Sequence, residues 1–191
     1  MKDALAFGGA CISLLNHADR VKTACLAQLV NAIAPIMTET GGPAWRQTIF
    51  FPFADFSNLG RGTVLSCEVD SPTYATVYND PRGGQDLEFA MPEVPYLKAA
   101  AVHAEDGALN LFLLNRSLDE EAPVEISLDG FPGLEVTGAS ELVNPDLDAV
   151  NTSAAPDTVR PQPLEGVTVD GGKVEARLKP ASWNTIRLEA A

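Results

Sequence analysis

The segment 17–39 restricts the possible folds of this chain more than any other. Within it, Val21, Ala24, Cys25, Leu26 and Ala27 leave little polar surface and no alternation of apolar with polar residues. That texture predicts a strand over 21–27 covered on both faces, as in a parallel sheet. Upstream, Leu5, Phe7, Gly8, Ile12 and Leu15 fall at mostly helical spacing over 4–15, and Asp19 and Arg20 separate that helix from the strand. Downstream, Gly41, Gly42 and Pro43 precede 44–58, where Trp45, Ile49, Pro52, Phe53 and Phe56 recur every three or four residues before Gly60 and Gly62. A second helix is therefore expected, with Pro52 predicting a kink or a late start. Helix, buried strand, helix is the repeating unit of a (β/α) barrel, in which the loop after the strand, here 28–39, faces the active end.

Past Gly62 the texture changes to short β-branched or aromatic runs, at 109–114, 124–128, 134–136 and 183–188, separated by Gly, Pro, Asn and Asp. Glu105, Asp106 and Gly107 lie between 99–102 and 109–114, and Asp170, Gly171 and Gly172 lie between 167–169 and 174–178. Both triplets supply residues that tolerate positive φ, as tight hairpins require. The expected fold class is an α/β barrel fragment, the last strand of a (β/α)8 barrel with its flanking helices over 1–61. An all-β antiparallel sandwich or jelly roll follows over 62–191. The polar stretch 146–163, with three prolines, reads as a long connection.

The chain has 191 residues, 46% of them hydrophobic, which suffices for a core. A complete (β/α) barrel takes about 250 residues, so only a part of one fits. A net charge of −13 argues against nucleic acid or an anionic membrane as partner. Cys11, Cys25 and Cys67 are odd in number and make no disulfide framework. Cys11 and Cys25 sit in apolar runs that suit buried thiols, and a reducing, cytoplasmic setting is expected. Asp3 interrupts the basic start, and no small-residue cleavage site follows 4–15, so a secretory leader is not expected. No apolar run approaches the ~20 residues of a membrane span.

Several blocks, in order, suggest a family. They are HADRVKTACLAQLVNAIAPIMTETGGPAWRQTIFFPF at 17–53, SPTY at 71–74, VPYL at 94–97, NRSL at 115–118 and SWNTIRL at 182–188. Together they resemble the α-L-arabinofuranosidases of glycoside hydrolase family 51, and the resemblance covers essentially the whole chain. It implies a retaining hydrolase that releases terminal arabinofuranosyl residues from arabinan, arabinoxylan or their oligosaccharides. It also implies a (β/α)8 barrel followed by a C-terminal β-sandwich, and homo-oligomers of the full-length enzyme. In that family the acid/base and nucleophile glutamates lie near the ends of the fourth and seventh barrel strands. Both positions are upstream of the helix beginning at about Asp3, and neither motif is present here. A retaining mechanism needs two carboxyls about 5–5.5 Å apart, so the chain alone is expected to be inactive. No catalytic residue is assigned: Glu39, in the loop after the strand, reads as a solvated carboxylate, and 119–121 as a hydrated turn.

Substrate-binding residues are more accessible to sequence. Gln28 follows the apolar strand directly, and its amide offers two donors and an acceptor suited to sugar hydroxyls. The resemblance implies that this glutamine, in the ACLAQ motif, contacts the arabinofuranosyl unit; capping of strand-end backbone is the competing role. Asn31 is a weaker candidate, since asparagine in such a place more often braces its own loop. Trp45 could stack on a sugar ring, although an indole beside Gly42 and Pro43 more often anchors a helix entry by burial. Trp183 reads as core. His17 and His103 lack the paired spacing of a metal site, and no cofactor or metal is implied. The alternative function is a non-catalytic β-sandwich that binds carbohydrate or mediates assembly, though Phe50, Phe51, Phe53 and Phe56 leave few aromatics for a binding face. A third reading has a separately encoded N-terminal piece completing the barrel in trans and restoring hydrolysis.

Overall fold

The computed structural model describes residues 1–80 and 87–190. Helix α1 (Lys2–Asn16) opens the chain. A small hairpin of β1 (Ile36–Thr38) and β2 (Ala44–Arg46) follows, then helix α2 (Phe50–Leu59). Strands β3 (Thr63–Leu65), β4 (Thr73–Asp80), β5 (Leu87–Pro95), β6 (Leu97–His103), β7 (Leu109–Asn115), β8 (Ala122–Ser127) and β9 (Leu134–Leu142) come next. The chain ends through β10 (Gln162–Pro163), β11 (Thr168–Asp170), β12 (Lys173–Leu178) and β13 (Ser182–Ala190).

All strand pairs are antiparallel. A six-stranded sheet runs β10-β9-β13-β7-β6-β3, and a three-stranded sheet runs β11-β12-β8. The expected antiparallel half is thus present. Both expected hairpins form: Ala104 N–H bonds to the Ala108 carbonyl at 2.8 Å with Gly107 at φ 88°, joining β6 to β7. Gly171 at φ 56° and Gly172 at φ 79° turn β11 into β12. The stretch 146–161 runs without helix or strand, as its composition suggested.

Strand β7 shows why the six-stranded sheet is central, because every one of its residues is buried. Phe112 and Leu114 point into a cluster with Met1, Ile12 and Leu15 from the α1 side, Phe51 of α2, and Trp183 of β13. Leu109, Leu111 and Leu113 point the other way, into a cluster with Val124, Val174, Leu178 and Ile186. A strand with apolar side chains on both faces needs cover on both, which the two helices and the three-stranded sheet supply. Strand β12 has cover on one face only, and its sequence alternates accordingly, with Val174, Ala176 and Leu178 in and Lys173, Glu175 and Arg177 out.

The expected barrel strand is absent: residues 21–27 form neither strand nor helix, and Thr23, Cys25 and Ala27 are exposed. A buried parallel strand takes its hydrogen bonds from neighbours on both sides, and this segment pairs with none of the described strands. Cys25 is accordingly exposed, not buried as its neighbours in sequence suggested, whereas Cys11 is buried. The expected second helix is shorter, Phe50–Leu59 in place of 44–58. Pro52 falls in its first turn, where a missing N–H costs no helical bond, so Pro52 marks the late start and not a kink.

Trp183 lies in the core as expected, at 1% exposure, and its indole N–H donates to Asp55 Oδ2 at 2.8 Å. Burial raises the Asp55 carboxyl above the ordinary aspartate range, and the bond from Trp183 offsets part of that rise. A folded-state pKa above the unfolded one means that the native form binds the proton more readily. The cost of ionising Asp55 is therefore absent below the usual aspartate range and grows as pH rises through its elevated pKa. Asp55→Asn keeps an acceptor for the indole without the charge. Urea unfolding across pH 3–8 is expected to show the variant gaining on the wild type as pH rises; a gap that stays constant with pH contradicts the assignment.

Candidate functional site

The residues singled out from sequence lie in one segment, 28–46, that leaves the body of the fold between α1 and α2. It begins at a cis peptide between Ala27 and Gln28. Gln28 is exposed, as are Leu29 (79%) and Ile33 (70%) beyond it. With Val30 between them, Leu29 and Ile33 make this loop a local cluster of exposed aliphatic side chains.

The loop is braced from within. Asn31 and Ala32 adopt positive φ, 62° and 52°, a conformation that asparagine tolerates better than most residues. The Asn31 amide donates to Thr38 Oγ1 at 2.8 Å, and its Oδ1 accepts the Thr38 backbone N–H at 2.7 Å. Its own N–H reaches the Ile36 carbonyl at 2.8 Å. These bonds tie the loop tip to β1 and give Asn31 a bracing role.

Trp45 starts no helix: it sits half-buried in β2, opposite Met37 of β1. Gly41, Gly42 and Pro43, read from sequence as the approach to a helix, form the hairpin turn. Gly41 lies at φ 69°, and the Glu39 N–H bonds to the Pro43 carbonyl at 3.1 Å. Glu39 is exposed at this turn. The Trp45 indole N–H donates to the Asn151 carbonyl at 3.1 Å, which anchors the hairpin to the long connection before β10.

Asn151 is the residue that sequence reasoning missed. It is 3% exposed, and its amide donates to the carbonyls of Arg46 at 3.0 Å and Val159 at 2.9 Å, while its Oδ1 accepts the Val159 N–H at 2.8 Å. An Arg46–Asp157 ion pair at 3.2 Å lies alongside, both partners half-exposed, and the Arg46 guanidinium stands 5.2 Å from the Phe51 ring centroid. Asparagine in a proline-rich polar stretch gives no local sign that it is buried. The only available hint was the length of that stretch, since a long ordered connection needs internal side-chain bonds.

The segment thus presents Gln28 and an aliphatic edge on a frame held by Asn31 and, through Trp45, by Asn151. The Gln28 side chain is exposed and its amide engages no partner among the described residues, whereas the polar groups of Asn31 and the indole N–H of Trp45 are engaged in holding the frame.

Residues 1–182 match the family model described as the α-L-arabinofuranosidase C-terminal domain. The chain belongs to this family. It is 49% identical over 185 residues to an intracellular exo-α-(1→5)-L-arabinofuranosidase of Streptomyces lividans, covering 97% of this chain and 26% of that protein. It is 42% identical to an exo-α-(1→6)-L-arabinofuranosidase of Bifidobacterium longum, covering 98% of this chain and 34% of the relative. A solved family 51 α-L-arabinofuranosidase from Bifidobacterium longum superposes with a TM-score of 0.83 at 34% identity, over 98% of this chain and 35% of that one. An arabinose complex of the Thermotoga maritima enzyme gives 0.81 at 29%, over 97% and 37%. The chain therefore spans about a quarter to a third of the length of the relatives it matches, and corresponds to the C-terminal domain of family 51 enzymes.

Proposed function

We propose that this chain is the C-terminal part of an exo-acting, retaining α-L-arabinofuranosidase that acts in the cytoplasm on arabinofuranosyl-containing oligosaccharides. In this reading residues 1–61 close a (β/α)8 barrel and 62–191 form its sandwich. The reacting carboxyls belong to upstream barrel strands, and the intact enzyme is a homo-oligomer. The carrying observation is the braced, outward-facing loop 28–39, preceded by the largely apolar segment 21–27, which pairs with none of the described strands. Parallel neighbours on either side of 21–27 would satisfy its backbone and cover Leu29 and Ile33, leaving Gln28 at the strand's carboxyl end. The names of the relatives from Streptomyces lividans and Bifidobacterium longum support the substrate class.

Gln28 then bonds sugar hydroxyls, Asn31 sets the loop that carries it, and Trp45 contributes by fixing the hairpin or by stacking its indole on the sugar ring. In the intact enzyme, Gln28→Ala is expected to lower kcat/KM on a chromogenic arabinofuranoside by about tenfold or more, since it leaves a substrate hydroxyl unpaired. An unchanged kcat/KM refutes the role of Gln28. The 191-residue chain alone is expected to give no turnover, and turnover abolished by Glu39→Gln would instead place the chemistry within this chain.

A further inference from the structure

Lys98 and Arg116 share a groove on the helix-covered face of the six-stranded sheet. Lys98 of β6 is the register partner of Leu114 of β7, and the Arg116 N–H bonds to the Tyr96 carbonyl at 2.8 Å, so the ladder continues past Asn115. Two residues beyond Leu114, Arg116 leaves the sheet on the same face as Lys98 and diagonal to it, a separation within reach of long side chains. Together with Leu5, Gly9 and Ser13 of α1 and with Leu118 they line an open groove of about 320 Å³.

Neither cation pairs with a carboxylate among the described residues, although the chain carries a net charge of −13. Lys98 Nζ is held against α1 by the Gly9 carbonyl at 2.8 Å and by Ser13 Oγ, which leaves one of its three protons unused. Arg116 spends Nη1 on the Pro95 carbonyl at 2.9 Å and keeps the rest of its donor fork. Burial and, secondarily, the nearby Arg116 charge push Lys98 below the ordinary lysine range, a destabilisation that an anion between the two would relieve. Two like charges held on one face repel each other, and an anion between them removes that repulsion.

We propose that this groove binds a small oxyanion, of which inorganic phosphate is the simplest, between Lys98 and Arg116. The acidic remainder of the surface, at a net charge of −13, disfavours large polyanions, whereas a small anion reaches the groove. Equilibrium dialysis of radiolabelled inorganic phosphate against the chain at fixed ionic strength is expected to show saturable binding. Lys98→Met and Arg116→Gln should each weaken it by about tenfold. Lys98→Met also unties α1 from β6, so Arg116→Gln, which can still donate to the Pro95 carbonyl, decides the case if the lysine variant unfolds. Absence of saturable binding, or saturation unchanged in folded Arg116→Gln, overturns the proposal.

Discussion

Trp183→Ala is expected to cost the chain about 3–5 kcal/mol of folding stability, the range for removing a large buried aromatic side chain. Three observations place it near the upper end. The indole is 1% exposed and packs on Phe112 with centroids 6.0 Å apart. It is also the surface on which α1 rests: a Cβ on Gly8 would stand only 2.5 Å from Trp183 Cε3, so the helix has been brought as close as the absence of a side chain permits. Neighbours held this tightly cannot collapse into the vacated space without moving a helix. Finally, the truncation removes the donor to Asp55, which would face burial without the bond that offsets part of its ionisation cost. Typical domains have about 5–15 kcal/mol in total, so the variant should unfold at far lower urea, while Trp183→Phe, which keeps most of the packing, should lose much less. A loss below about 1 kcal/mol for Trp183→Ala would mean that α1 does not depend on this contact.

Where sequence and structure agree, the determining interactions are local. The β6–β7 and β11–β12 hairpins could be read because their turns need residues that accept positive φ, and Gly107, Gly171 and Gly172 announce that requirement within three residues of where it acts. Helix α1 was legible for the same reason: of the residues that marked it, Gly8, Ile12 and Leu15 are buried at helical spacing, while Leu5 and Phe7 lie half-buried beside them. The failures are non-local. Whether 21–27 forms a strand is decided by whether partners lie beside it, and a run of small and apolar residues carries no information on that point. Trp45 fell at helical spacing from Ile49 and Pro52, yet Gly41 folds the chain back before the helix begins, and β2 finds its partner in β1.

The candidate site divides in the same way. Gln28 stood out because it follows an apolar run directly, and Asn31, a weaker candidate in the loop beyond it, bonds its amide to Thr38, the commoner use of an asparagine there. Asn151 did not stand out, because its partners are Arg46, more than a hundred residues away, and Val159, across a loop of no regular form.

That makes Asn151 the sharper test of how the site is held. Asn151→Ala removes two donated bonds and one accepted bond at a position 3% exposed, and strands the Arg46 carbonyl together with the Val159 N–H and carbonyl. Each buried group left unpaired costs about 1–3 kcal/mol, and partial entry of water limits the total to about 2–4 kcal/mol. Asn151→Asp should be no better, because a carboxylate keeps the bond from Val159 N–H but turns an acceptor toward two carbonyls. The loss should also be regional. Amide hydrogen exchange is expected to accelerate across 36–46 and 151–159 while β7 and β13 keep their protection, since neither central strand bonds to this latch. In an intact arabinofuranosidase the same substitution should raise KM more than it lowers kcat, because it loosens the frame under Gln28 without removing a group that meets the sugar. Uniform loss of protection over the whole chain would show instead that hairpin and sandwich unfold as one unit, and that Asn151 is a core residue and not a brace.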